Sequence, residues 1–211
     1  MSEELVFYTH PMSRGRIVRW MLEEVGAPYR TELLDYGTSM KSPAYLAINP
    51  MGKVPAIRHG RTVVTEGAAI CAYLADAFPE AGLARPPTDP ARGPYYRWLF
   101  FAAGPVEAAI TVRGLGVEPP PERSVGLGWG DFDTMVDALE TAVSASDYIA
   151  GDRFSAADVY VGSQIGWGLQ FKTLPHRPAF EAYWRRISQR PAHVRAREID
   201  DALLPAPPKG D

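Results

Sequence analysis

A chain of 211 residues is long enough for one large domain or two small ones, since ~150 residues per domain is only a soft guide. Its 46% hydrophobic and 22% charged residues are those of an ordinary globular protein, with enough apolar surface for a core. A net charge of −3 and a pI near 5.8 exclude nucleic acid as the main partner, which needs a concentrated basic face, and no apolar run is long enough to span a bilayer.

The opening Met1-Ser2-Glu3-Glu4 is acidic where a secretion signal would be basic, so a cytoplasmic protein is expected. Leu5 to Tyr8 is a short apolar run consistent with a buried strand. Thr9-His10-Pro11-Met12 breaks it, and a helix is predicted from Ser13 to Val25 with Ile17, Trp20, Met21 and Leu22 on one stripe and Gly26 as its stop. Arg14, Arg16 and Arg19 share helical spacing and read as a solvated or subunit-facing stripe. Tyr29 to Leu34 reads as a second strand, parallel to the first. Asp35 to Ile48 is loop with a helical turn at most. Ala56 to His59 and Thr62 to Thr65, joined by Gly60-Arg61, form a hairpin, and a helix follows from Glu66 to Phe78.

Two features of this half carry chemistry. Asn49-Pro50-Met51-Gly52-Lys53-Val54-Pro55 forbids a helix, because each proline lacks an N–H and Gly52 accepts positive φ. A cis Val54–Pro55 bond would turn the chain and leave the Val54 N–H and C=O facing outward, able to pair with an extended peptide; the plain alternative is a surface turn. Thr65-Glu66-Gly67 then sits where a strand gives way to a helix, whose first N–H groups attract a carboxylate while Glu66 can hold an ammonium. A short peptide with an α-amino and an α-carboxylate group at one end fits both.

Pro79 to Pro94 contains five prolines and is read as a linker between domains at 1–80 and 90–205. Everything beyond reads helical. Tyr95 to Gly114 is apolar and should be kinked or split at Gly104-Pro105, Val117 to Gly130 is loop, and Phe132 to Ser146 is amphipathic with Met135, Val136, Leu139 and Val143 on one face. Phe154-Ser155-Ala156-Ala157-Asp158-Val159 has the form of a capping box with a hydrophobic staple, which makes Asp158 structural. A last helix is predicted from Ala179 to Gln189, before a tail from Leu203 to Asp211 whose prolines end regular structure. The single cysteine, Cys71, excludes an internal disulfide and reads as a small buried hydrophobe. His10, His59, His176 and His193 show no metal spacing.

With NPMGKVPAI at 49–57, TEGAAI at 65–70, FYTHPMSRGRIVRWMLEE at 7–24 and AGDRFSAADV at 150–159, in order over nearly the whole chain, the sequence resembles the soluble glutathione transferase superfamily, in its serine-type, bacterial-like form. The resemblance implies an α/β thioredoxin-like N-terminal domain and an all-α C-terminal domain. It also implies glutathione as co-substrate, no metal, and a homodimer. In that family Pro55 is cis, the Val54 backbone binds the cysteinyl part of glutathione, and the residue matching Glu66 binds the γ-glutamyl end. The implied glutathione-binding set is Lys41, Lys53, Val54, Pro55, Glu66 and Gly67. The family usually has a serine where this chain has Gly67, which removes one hydrogen bond to the γ-glutamyl carboxylate.

Transfer chemistry needs a thiolate, and a hydroxyl donor beside a helix N-terminus favours it. Ser13 is the candidate for that donor, the alternative being a helix cap with no chemical role; Tyr8, Thr9 and Arg14 are its rivals, Tyr8 handicapped if its strand points it into the core. An apolar electrophile site is expected from Met12, Trp98, Phe101 and Trp167. The expected activity is conjugation of glutathione to small hydrophobic electrophiles. A non-catalytic glutathione-transferase-like binding protein and a glutathione-dependent isomerase are the other readings.

Overall fold

The computed structural model describes residues 3–204. Among them the chain makes two compact units, one from 3–74 with 191–204 and the other from 75–190. The first begins with β1 (Leu5–Thr9), α1 (Gly15–Val25) and β2 (Arg30–Leu33). A tight turn at Ser39–Lys41 and the short α2 (Pro43–Leu46) follow, then the hairpin β3 (Ala56–His59) and β4 (Thr62–Thr65), and α3 (Gly67–Ala77), whose last turn enters the second unit. The sheet order is β2-β1-β3-β4, with β1 parallel to β2 and antiparallel to β3.

β1 is buried along its whole length, and for that reason reads as an unbroken apolar run rather than an alternation. α1 buries Ile17, Val18, Trp20, Met21 and Leu22 and ends where Gly26, in the left-handed region at φ 67°, returns its N–H to the Leu22 carbonyl. The β3–β4 hairpin has the bounds its sequence predicts.

The second unit is helical: α4 (Arg92–Phe101), α5 (Glu107–Gly114), α6 (Phe132–Ala145), α7 (Ala156–Gln170) and α8 (Pro178–Ser188). Between α4 and α5 lies one π-helical turn, Ala102–Val106, with Pro105 inside it. The wide turn takes up the proline, which cannot donate to the α-helical ladder, so the segment neither breaks nor straightens. α6 is capped by Asp131, whose carboxylate accepts from the Thr134 N–H at 2.8 Å, and it buries the predicted stripe.

α7 is buried at nearly every position, as expected of a helix apolar all round. Its capping box is present and centred on the Asp158 carboxylate, which accepts from the Ser155 N–H and Oγ at 2.9 Å each, the Ile149 N–H at 2.8 Å and the Tyr183 hydroxyl at 2.8 Å. Burial pushes the Asp158 carboxyl above the usual carboxylate range against these donors. Phe154, the expected staple, is buried edge-on to Tyr148 with ring centroids 5.9 Å apart.

A further helix, α9 (Pro191–Ala202), follows the one predicted to be last. It packs along α1 in the first unit, whereas the sequence places that segment in the C-terminal domain. The predicted tail, Leu203 to Asp211, lies outside the described residues beyond 204. α9 also corrects the reading of Arg19, whose side chain is 1% exposed rather than solvated. Its Nε donates to Asp200 Oδ1 at 2.8 Å and its Nη1 to the Tyr29 and Thr31 hydroxyls at 3.1 Å, with the guanidinium 5.1 Å from the centroid of the Phe7 ring. A buried arginine needs a partner carboxylate, and this one comes from the other end of the chain.

Candidate active site

The register of the sheet decides where the candidate residues gather. Tyr8 pairs with Ala56 and Ala56 with Thr65, so β1 ends, β3 begins and β4 ends on one edge. The Ser13 loop, Val54 and Glu66 leave from that edge.

The loop before β3 is built from its own side chains. Asn49 donates to the Lys53 carbonyl at 2.7 Å and accepts from the Met51 N–H at 3.1 Å, and the Tyr45 hydroxyl also reaches the Lys53 carbonyl, at 2.6 Å. Burial pushes the Tyr45 hydroxyl up to about 12, so it is a neutral donor at physiological pH. The Lys41 ammonium holds the Met51 and Gly52 carbonyls at 3.1 and 3.0 Å. Gly52 is required: its φ is 57°, and a Cβ there would lie 2.7 Å from the Met40 carbonyl oxygen and 2.8 Å from Lys41 Nζ. Val54–Pro55 is cis. The β1–β3 ladder stops at Ala56, leaving the backbone of half-buried Val54 beyond it. Lys53 is exposed.

At the end of β4 the exposed Glu66 adopts φ 65°, and α3 starts at Gly67 with the Glu66 carbonyl accepting from Ile70 at 2.9 Å. A left-handed glutamate is uncommon and strained. It turns the chain from strand to helix in one residue, at the point where the first N–H groups of α3 have no partner within the helix.

Across the loop after β1 each carbonyl from His10 to Met12 is held by a side chain: His10 O by Ser13 Oγ at 2.7 Å, Pro11 O by Arg16 Nε, and Met12 O by the Tyr36 hydroxyl at 3.0 Å. Ser13 Oγ also accepts from the Gly15 N–H at 2.9 Å. The cap position of α1 is Arg14, one residue later than expected, so Ser13 serves the helix start from outside it. Its hydroxyl hydrogen can turn from the His10 carbonyl to an incoming sulfur. Of the rivals, Thr9 is fully buried and Tyr8 packs against Tyr45 with centroids 5.6 Å apart, while Arg14 is exposed. Cys71 is fully buried and desolvation pushes its thiol upward, away from the reactive form.

Of the electrophile-site candidates, Met12 is 68% exposed on the first unit. In the second unit Trp98 is buried, edge-on to Phe101 at 5.3 Å and under the Arg97 guanidinium at 4.5 Å; Phe101 and Trp167 are half-buried. Sequence reasoning missed the positive φ of Glu66, which no residue type signals, and the parts played by Tyr45 and Asn49. Asn before proline is a turn residue whose side chain bonds nearby backbone, a signal that could have found Asn49.

A cis-proline leading into β3 of a four-stranded mixed sheet, with a helix starting directly after β4, is the arrangement of a thioredoxin-like domain. Family models described as the glutathione S-transferase N-terminal and C-terminal domains match residues 12–77 and 131–191. The chain is 30% identical over 161 residues to glutathione S-transferase GstA of Escherichia coli O157:H7, covering 75% of this chain and 76% of that one. Among solved structures it is similar to a glutathione transferase from Methylococcus capsulatus (TM-score 0.77, 29% identity, 95% and 100% covered) and to a sphingomonad glutathione S-transferase complexed with glutathione (0.75, 27%, 93% and 98%). The chain belongs to the glutathione S-transferases, and is a glutathione transferase. Among the described residues no helix is long and apolar enough to cross a membrane, and none cluster as metal ligands.

Proposed function

We propose that the protein conjugates glutathione to small apolar electrophiles, with the backbone of Val54 pairing with the cysteinyl residue, Glu66 and the α3 N-terminus at Gly67 holding the γ-glutamyl end, and Ser13 at the sulfur. What supports this is the register that brings the Ser13 loop, Val54 and Glu66 to one end of the sheet. Glutathione as co-substrate is supported by the sphingomonad relative, described as complexed with it. Lys41 braces the Val54 loop, and Lys53 is free to meet the glycyl carboxylate. Met12, Trp98, Phe101 and Trp167 are assigned to the electrophile. The protein acts as a cytoplasmic homodimer, with serine-type, bacterial-like chemistry.

A free thiol with a pKa of about 8.5 is only a few per cent ionised near neutrality. A hydroxyl donor and a helix N-terminus stabilise the anion and release the thiol proton to water. The sulfur pair then bonds the electrophilic carbon, and the leaving group departs with the electrons of the bond it breaks. The relatives are named transferases, which disfavours a purely binding role.

The ultraviolet absorbance of the bound thiolate, titrated against pH, tests the assignment. Ser13→Ala should shift the curve to higher pH and slow turnover with glutathione affinity nearly unchanged. Glu66→Ala should weaken binding by ~1.5–3 kcal/mol, the worth of a charged hydrogen bond, and leave the curve in place. Superimposable curves for wild type and Ser13→Ala would overturn the role of Ser13.

A further inference from the structure

α9 lies antiparallel against α1, as its ion pairs show: Arg195 meets Glu23 at 3.2 Å, Asp200 meets Arg19 at 2.8 Å and Asp201 meets Arg16 at 2.8 Å. Its C-terminal end therefore lies beside the first turn of α1. Arg16 occupies that turn, and its guanidinium works in two directions, Nη1 on Asp201 Oδ1 and Nε on the Pro11 carbonyl. Of the three carbonyls of the Ser13 loop, Pro11's is the one held by a side chain that is itself anchored on α9.

We infer that Arg16 is a positioning residue for Ser13 and that Asp201 keeps it there. The inference rests on the role of Ser13 proposed above. A guanidinium is planar, so a carboxylate gripping one edge fixes where the other N–H groups point. Without Asp201 the Arg16 side chain, 25% exposed, is free to swing toward water. The Pro11 carbonyl then loses its donor, and the turn that sets the Ser13 hydroxyl relaxes.

Charge alone has the opposite sign. Removing the Asp201 carboxylate leaves more net positive charge near the loop, which by Coulomb attraction favours a thiolate and lowers the thiol pKa. Positioning requires the pKa to rise.

The measurement is the pH profile of kcat with glutathione and a generic aryl halide, alongside thiolate absorbance, for wild type, Asp201→Ala, Asp201→Glu, Arg16→Lys and Ser13→Ala. Asp201 is half-exposed and exposed ion pairs contribute little to stability, so Asp201→Ala should fold. We expect Asp201→Ala to move the profile up by about one unit and cut kcat near neutrality roughly tenfold, as one pKa unit corresponds to a tenfold change in thiolate. The KM for glutathione should hold, Asp201→Glu should restore the profile, and Arg16→Lys, which keeps the charge and loses the fork, should behave as Asp201→Ala. If Ser13→Ala shifts the profile while Asp201→Ala leaves it in place or moves it down, the positioning role is overturned and that of Ser13 stands. If Ser13→Ala leaves the profile unmoved, the Ser13 assignment falls and this inference with it.

Discussion

Gly67 is the position where this chain differs most pointedly from the pattern its site otherwise follows. It is the first residue of α3, where a serine hydroxyl could donate to a γ-glutamyl carboxylate at the helix N-terminus. Gly67→Ser should tighten glutathione binding by ~0.5–1.5 kcal/mol, the net worth of one hydrogen bond, in calorimetric titration. Unchanged or weaker binding would mean that the carboxylate does not dock on the first turn of α3. Single residues also divide sharply in how legible they are. Pro55 and Gly52 announce themselves, because proline's missing N–H and glycine's missing Cβ restrict the backbone wherever they stand. Arg19 does not: its partner Asp200 is 181 positions away, and no local pattern tells a buried arginine from a solvated one. The left-handed Glu66 is equally silent, since the surrounding strand and helix impose its conformation.

At the level of elements the capping box of α7 is the clearest case of sequence, packing and electrostatics agreeing. Ser155 gives the buried Asp158 carboxylate two of its four hydrogen bonds, one from the N–H and one from Oγ. Ser155→Ala removes the second and should cost ~1.5–3 kcal/mol in chemical denaturation, the range for a bond to a charged group. The effect carries a pH sign. The folded-state pKa of Asp158 is already raised by burial, so this group's stabilisation is fully present below the unfolded value and is lost as pH rises through the folded one. Losing a donor to the anion raises the folded value further. The deficit of Ser155→Ala should therefore be largest near neutrality and shrink as the pH is lowered; a deficit independent of pH would show that Asp158 does not feel the hydroxyl. α6 and α8 were legible because their apolar positions follow the helical period between clear breakers, and the hairpin because Gly60-Arg61 separates two short β-prone runs. α9 was not, because its buried stripe is narrow, Ala192, Ala196 and Asp200, and its fixing contacts are ion pairs to a distant helix.

For the whole molecule the proposed homodimer draws on exposed apolar side chains: Met51 and Val63 on the first unit, and Phe100, stacked on Tyr96 at 6.2 Å, on the second. Sedimentation at micromolar concentration should give twice the mass of one chain, and Phe100→Asp should halve it if that face takes part; a monomeric wild type would remove the dimer. The return of α9 to the first unit bears on how the protein is made. The unit holding Ser13, Val54 and Glu66 is discontinuous, interrupted by the whole of residues 75–190. At ~5–20 residues per second, a ribosome takes on the order of ten seconds to cross that insert. Until α9 emerges, Arg19 stands in a nascent α1 with its carboxylate still unsynthesised. The ion pair that buries Arg19 can therefore close only after the whole helical insert has been synthesised.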